Sequence, residues 1–196
     1  MGLSVKKQIP IFILVGINVT IYILGFFAFN KYDFMMNAET VWVDGQYWRV
    51  LTSMFLHGDI RHIIFNMISL YGLSGLLLLT QPAWKYYLIY FGSGILGGFA
   101  ESGVRLAMGD STWSLGASGA IMGLLGANMA FYIRNSSRIP KPVMREQMRR
   151  LIIFALINLV PENSSVDYFG HLFGLIFGFL IGMAVQKKST GTGTMD

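Results

Sequence analysis

Apolar residues in this chain come in long, nearly unbroken runs separated by short polar stretches. Six runs approach the roughly 20 residues that cross a hydrocarbon core, at about 9–29, 60–79, 84–108, 115–133, 148–161 and 168–186. The pattern predicts an all-α membrane protein, a bundle of six transmembrane helices. The fifth run is the weakest, since its apolar core at 151–161 has 11 residues, about 16 Å of helix at 1.5 Å per residue. Such a helix must tilt, borrow flanking residues or sit loosely. The first run is too long for a cleavable signal peptide, and no small-residue cleavage site follows it.

The polar stretches divide into two kinds. The segment at 30–59 carries Trp42, Tyr47 and Trp48, residue types that prefer the headgroup level. It is expected to lie in the membrane interface, with Arg49 either snorkelling or bonding the segment's own carbonyls. The segment at 134–150 is basic. Residues 189–196 are mostly Gly, Thr and Ser and read as a disordered tail, leaving one membrane domain over 1–188.

Composition agrees with the runs. Hydrophobic residues make up 54% and charged residues 13%, against about 25% charged in a soluble domain, and the mean hydropathy is +0.54. The net charge of +5 could suggest nucleic acid, but its distribution gives another answer. With the amino terminus in the cytoplasm, the inner segments hold Lys6, Lys7, Lys85, Arg134, Arg138, Lys141, Arg145, Arg149, Arg150, Lys187 and Lys188. Asp33, Glu39, Asp44, Asp59, Asp110, Glu162 and Asp167 fall on the outer side. The positive-inside rule therefore puts both termini in the cytoplasm, and the basic charge marks topology rather than a nucleic-acid partner. There is no cysteine, which excludes disulfides, thiolate nucleophiles and thiolate metal sites.

Strongly polar groups inside spans are costly and mark function by default. His62 and Asn66 sit one turn apart at the start of the second run, Ser118 near the start of the fourth, and His171 near the start of the sixth. These three helices run in the same direction, so a serine, two histidines and an asparagine are expected at one depth, about 5–10 Å below the outer boundary. Gly170, Gly174, Gly178 and Gly182 recur every fourth residue, as do Gly119, Gly123 and Ala127; small residues at that spacing let helix backbones approach closely in lipid. Ser118 lies in Gly116-Ala117-Ser118-Gly119, and a second Gly-x-Ser-Gly surrounds Ser74. Ser74 lies in the opposite half of its helix, away from any histidine, and is read as packing. His171 is a candidate base for the Ser118 hydroxyl. The backbone N–H of Ser118, Asn66 and His62 are candidate oxyanion donors. His57 is read as an interfacial or structural histidine, and Glu101 and Arg105 as a local i, i+4 ion pair; no carboxylate is obviously placed to orient His171, since Asp167, four residues earlier, is expected in the outer loop.

The segments His57-Gly-Asp-Ile-Arg-His62-Ile-Ile-Phe-Asn66, Gly116-Ala-Ser118-Gly119 and Gly170-His171-Leu-Phe-Gly174-Leu-Ile-Phe-Gly178 resemble the three signature segments of the rhomboid intramembrane serine proteases, in the family's order. Tyr47-Trp48-Arg49 is similar to the family's first-loop element. The resemblance implies a six-helix rhomboid core with a membrane-inserted first loop, in a multi-pass plasma-membrane protein whose site opens toward the extracytoplasmic side. It implies hydrolysis of peptide bonds in transmembrane protein substrates, with neither metal nor cofactor. Residue by residue, it makes Ser118 the nucleophile, His171 the general base and acid, and Asn66 and His62 the oxyanion donors; Gly116 and Met122 are expected at the substrate-binding surface. Three positions depart from the family's usual pattern. Met122 stands where many relatives carry an aromatic residue for the histidine to stack on, Leu76–79 offers no glutamate to tie down the first loop, and Gly170 replaces a frequent alanine. Two rival readings are a non-catalytic rhomboid-like protein that binds client membrane proteins, and a carrier of haem or quinone on its histidines.

Overall fold

The structure, a computed structural model, describes residues 4–159 and 167–186. Among them are six helices of 17 to 26 residues: α1 (Val5–Leu24), α4 (Ile60–Thr80), α5 (Ala83–Met108), α6 (Ser118–Arg134), α7 (Lys141–Leu159) and α8 (Tyr168–Val185). Two short helices, α2 (Ala38–Trp42) and α3 (Trp48–Ser53), fill the segment between α1 and α4. Three of the long helices, α1, α4 and α8, are long and apolar enough to cross a membrane. Their exposed faces carry Phe12, Ile13, Phe65, Ile68 and Leu180, the apolar exterior that a lipid solvent favours.

The helix boundaries differ from the apolar runs where caps and packing override hydropathy. α1 spans 5–24 rather than 9–29, because the chain turns at Gly25. α7 starts seven residues before the run at 148: the basic residues from Lys141 onward form its first turns, with Pro142 near its start, where a missing N–H costs nothing. The expected end of that run at Pro161 lies outside the described residues, as do Glu162, Lys187, Lys188 and the expected tail at 189–196.

The core is built on α5, α6 and α8, with α4 and α1 on one side and α7 on the other. The segment between α1 and α4 docks on α5. Met36, Val41 and Val50 form a buried cluster against Ile95 and Phe99, the side chains of Val50 and Met54 fill the notches at Gly98 and Gly94, and the Trp42 indole N–H donates to Ser102 Oγ at 3.0 Å. Arg49 does not snorkel. Its guanidinium donates to the carbonyls of Tyr32 and Met35, each at 2.8 Å, and to the Gln46 side chain. A leucine-rich end of α4 therefore leaves this segment well anchored, by α5 and by its own hydrogen bonds.

Candidate active site

Ser118 is the first residue of α6, and the residues before it are not helical. Ser114 exchanges backbone hydrogen bonds with Met36 (2.7 and 3.2 Å), and the Gly116 N–H donates to the Ser53 carbonyl at 2.9 Å. Gly116 has φ +128°, a region open to glycine and strained for other residues. These bonds hold 114–116 extended, so the run expected to be helical from 115 turns into helix only at Ser118. Ser118 is half-buried and lines a cavity of ≈ 30 Å³ shared with Gly116, Ser114, Glu101 and Asp167, room for about one water.

The fourfold spacing of small residues forms a seam between α6 and α8. A β-carbon on Gly174 would collide with the Gly119 carbonyl, and one on Gly178 with the Gly123 carbonyl. At the outer end a β-carbon on Gly119 would stand 3.3 Å from the Gly170 carbonyl. Ser118 and His171, each next in sequence to one of these glycines, flank that crossing. Among the described residues the Ser118 hydroxyl has no hydrogen-bond partner, and His171 is buried with its Nδ1 2.7 Å from the Asn158 carbonyl of α7. A carbonyl can only accept, so Nδ1 carries the proton and, in the neutral ring, Nε2 holds the lone pair. No direct Ser118–His171 hydrogen bond is present.

The polar groups of α4 face the same region. Asp59 caps the helix by accepting from the N–H groups of Arg61 and His62. His62 Nδ1 accepts from the Gly58 N–H at 3.4 Å, which assigns the proton to Nε2 in the neutral ring, and Nε2 lies 3.0 Å from where a β-carbon on Gly116 would stand. The Asn66 carboxamide is buried, and its Nδ2 has no partner among the described residues. His57 is buried, as a structural histidine would be, its ring 5.1 Å from that of His62. Burial, and then the neighbouring His62, push its pKa down to about 4. Met122 is 1% exposed and packs with Leu125 and Ala155 between α6 and α7; it presents no open surface.

Ser74 is fully buried, its hydroxyl shared between the Leu70 carbonyl and the Tyr86 hydroxyl. The Glu101–Arg105 pair proves wider than a local i, i+4 contact. Arg105 donates to Glu101 and Asp167, each at 3.1 Å, and also to Asp110, while Ser114 donates to Glu101. Asp167, the N-cap of α8, accepts in addition from the Gly170 N–H. A β-carbon on Gly170 would stand 2.6 Å from an Asp167 oxygen and 2.8 Å from a Glu101 oxygen. Glycine in place of the frequent alanine thus makes room for the carboxylates. Among the described residues no three histidine or acidic side chains converge to hold a metal ion. The Asn158 carbonyl is the feature that residue types could not reveal, because the acceptor is backbone.

The profile of the Rhomboid domain family matches residues 44–188. The chain belongs to the rhomboid family. Among curated proteins it is 29% identical over 170 residues to "Putative rhomboid protease YdcA" of Bacillus subtilis (strain 168), covering 83% of each chain. It is 31% identical over 185 residues to "Rhomboid protease GluP" of the same bacterium, covering 88% of this chain and 35% of that one. With "RHOMBOID-like protein 6, mitochondrial" of Arabidopsis thaliana it shares 34% over 142 residues, 72% of this chain and 44% of that protein. Rhomboid membership and the apolar helices make this a multi-pass membrane protein.

Proposed function

We propose that the chain is an intramembrane serine endopeptidase that hydrolyses peptide bonds in or near transmembrane segments of membrane proteins. Ser118 Oγ attacks the scissile carbonyl while His171 Nε2 takes its proton; the same proton then passes to the leaving amine, and water resolves the acyl-enzyme by the reverse use of the base. The oxyanion is met by the Ser118 N–H, which has no intrahelical acceptor at a helix start, with Asn66 Nδ2 and His62 Nε2 as side-chain donors. Gly116 lies at the substrate-facing edge, and Met122 becomes reachable when α7 moves aside. The reading is carried by one observation above the others: the outer end of the α6–α8 seam is flanked by a serine whose hydroxyl has no partner among the described residues and a histidine whose Nε2 is left as acceptor. Catalytic hydrogen bonds commonly close only with substrate bound.

The topology that goes with this reading has all six long helices spanning a plasma membrane, both termini cytoplasmic and the site opening to the extracytoplasmic side. One domain covers 1–188. The absence of a Ser118–His171 hydrogen bond favours a second reading, a non-catalytic protein that binds client membrane proteins. Cleavage of a labelled transmembrane substrate by purified protein separates the two. Ser118→Ala and His171→Ala are expected to lower kcat by about a thousandfold or more, and Ser74→Ala to keep most activity. Equal turnover by wild type and both dyad variants removes the dyad; no turnover by any favours the client binder.

A further inference from the structure

We propose that α7 supplies the orienting member of the dyad: the backbone carbonyl of Asn158 fixes His171 as the Nδ1–H tautomer, so that cleavage requires α7 docked on α6 and α8. This rests on the reading of His171 as general base.

A base that accepts through Nε2 needs Nδ1 protonated and the ring held, a task usually given to a carboxylate. The carboxylates near His171 have other partners. Asp167 accepts from Arg105 and the Gly170 N–H, and Glu101 from Arg105 and Ser114. The acceptor at Nδ1 is the Asn158 carbonyl, at 2.7 Å. The Asn158 carboxamide is turned the other way, its Nδ2 donating to the Phe154 carbonyl at 2.8 Å, so only the peptide group meets the imidazole.

The helix that carries this acceptor is the one most lightly held. Ala155 is the only buried residue among those described on α7, seated on Met122 and Leu125, while Ile153, Leu156 and Ile157 are exposed. An aromatic residue at 122 could fix the ring from α6 itself; with methionine there, the orienting contact comes from another helix. When α7 swings away, Nδ1 loses its acceptor and the ring is free to take the other tautomer, with the lone pair misdirected. A substrate that enters past α7 therefore acylates Ser118 only after α7 returns.

The full chain in detergent micelles gives the test. Nitrogen NMR of labelled histidine, assigned with His57→Gln and His62→Gln, reads the His171 tautomer, expected to be Nδ1–H. Replacing Leu159 by its α-hydroxy acid turns the Asn158 carbonyl into an ester carbonyl, a weaker acceptor. The expected result is a kcat lowered about three- to tenfold with KM unchanged and a His171 signal moved toward mixed tautomers. The same replacement at Ile157 removes a comparable helix hydrogen bond without touching Asn158, and is expected to keep kcat within about twofold. An Nε2–H tautomer in the wild type, or equal kcat for the two esters, overturns the proposal while leaving the protease reading in place. If the wild type fails to cleave, the protease reading falls, and the tautomer still decides whether Asn158 orients the ring.

Discussion

The seam between α6 and α8 and the attachment of α7 are two ways of holding a helix next to the same histidine. Along the seam, glycine faces backbone over three turns, and helices so closely apposed gain dispersion contacts along their whole length. α7 leans on its neighbours through a patch centred on one alanine. His171 belongs to both: its backbone is part of the seam, and its ring is steered by α7. Position is thus held rigidly, while orientation depends on a helix that can move at small cost.

Substitutions should separate the two regions sharply. Gly178→Leu drives a side chain into the Gly123 carbonyl and is expected to cost more than about 4 kcal/mol, read as loss of the folded fraction in mixed-micelle unfolding. Ile157→Ala on exposed α7 should stay within about 0.5 kcal/mol. Comparable losses at both sites would end the distinction. Arg105→Gln tests the outer end of the seam, where it leaves the buried Glu101 and the partly buried Asp167 without their cation; about 3–5 kcal/mol is expected to be lost.

A pH scan probes the α4 side, away from both. His57 titrates near 4 in the folded protein and near 6.5 when unfolded. The unfolded state therefore binds the extra proton first, and stability present above pH 6.5 is lost as pH falls toward 4, by about 3 kcal/mol in all. His57→Phe should flatten that slope in thermal unfolding between those pH values. A smaller loss than at Gly178, Arg105 or His57 is expected for Ala155→Leu: overfilling the α7 patch should change stability by about 1–2 kcal/mol, yet lower cleavage by as much as the ester at 159. Unchanged cleavage would detach α7 from the chemistry.

The sequence carried the parts of this arrangement that depend on side-chain type. The runs at 60–79, 84–108 and 168–186 became helices within a residue or so at each end, because long apolar stretches must satisfy their backbone internally. The small residues of α6 and α8 met as their spacing foretold. Features made by the backbone were out of reach. The extended segment before Ser118 depends on hydrogen bonds to Met36 and Ser53, some 60 to 80 residues earlier. The Asn158 carbonyl could have stood on any residue type, and the apolar run said nothing of it. For His57 the structural one of its two readings holds, since its side chain is buried.

Two of the basic residues on which the proposed orientation rests have a second contact. The Lys85 ammonium donates to the Val185 carbonyl at 2.5 Å and the Arg134 guanidinium to the Met183 carbonyl at 2.7 Å, at the C-terminal end of α8, where unpaired carbonyls carry partial negative charge. In the proposed topology these charges act at two times. While the chain is being inserted they are free and help to keep the loops on the cytoplasmic side; once α8 is in place they become clamps on its last turn. Removing either is therefore expected to give a mixed phenotype, some molecules threaded the wrong way and the correctly threaded ones frayed at the inner end of the last helix.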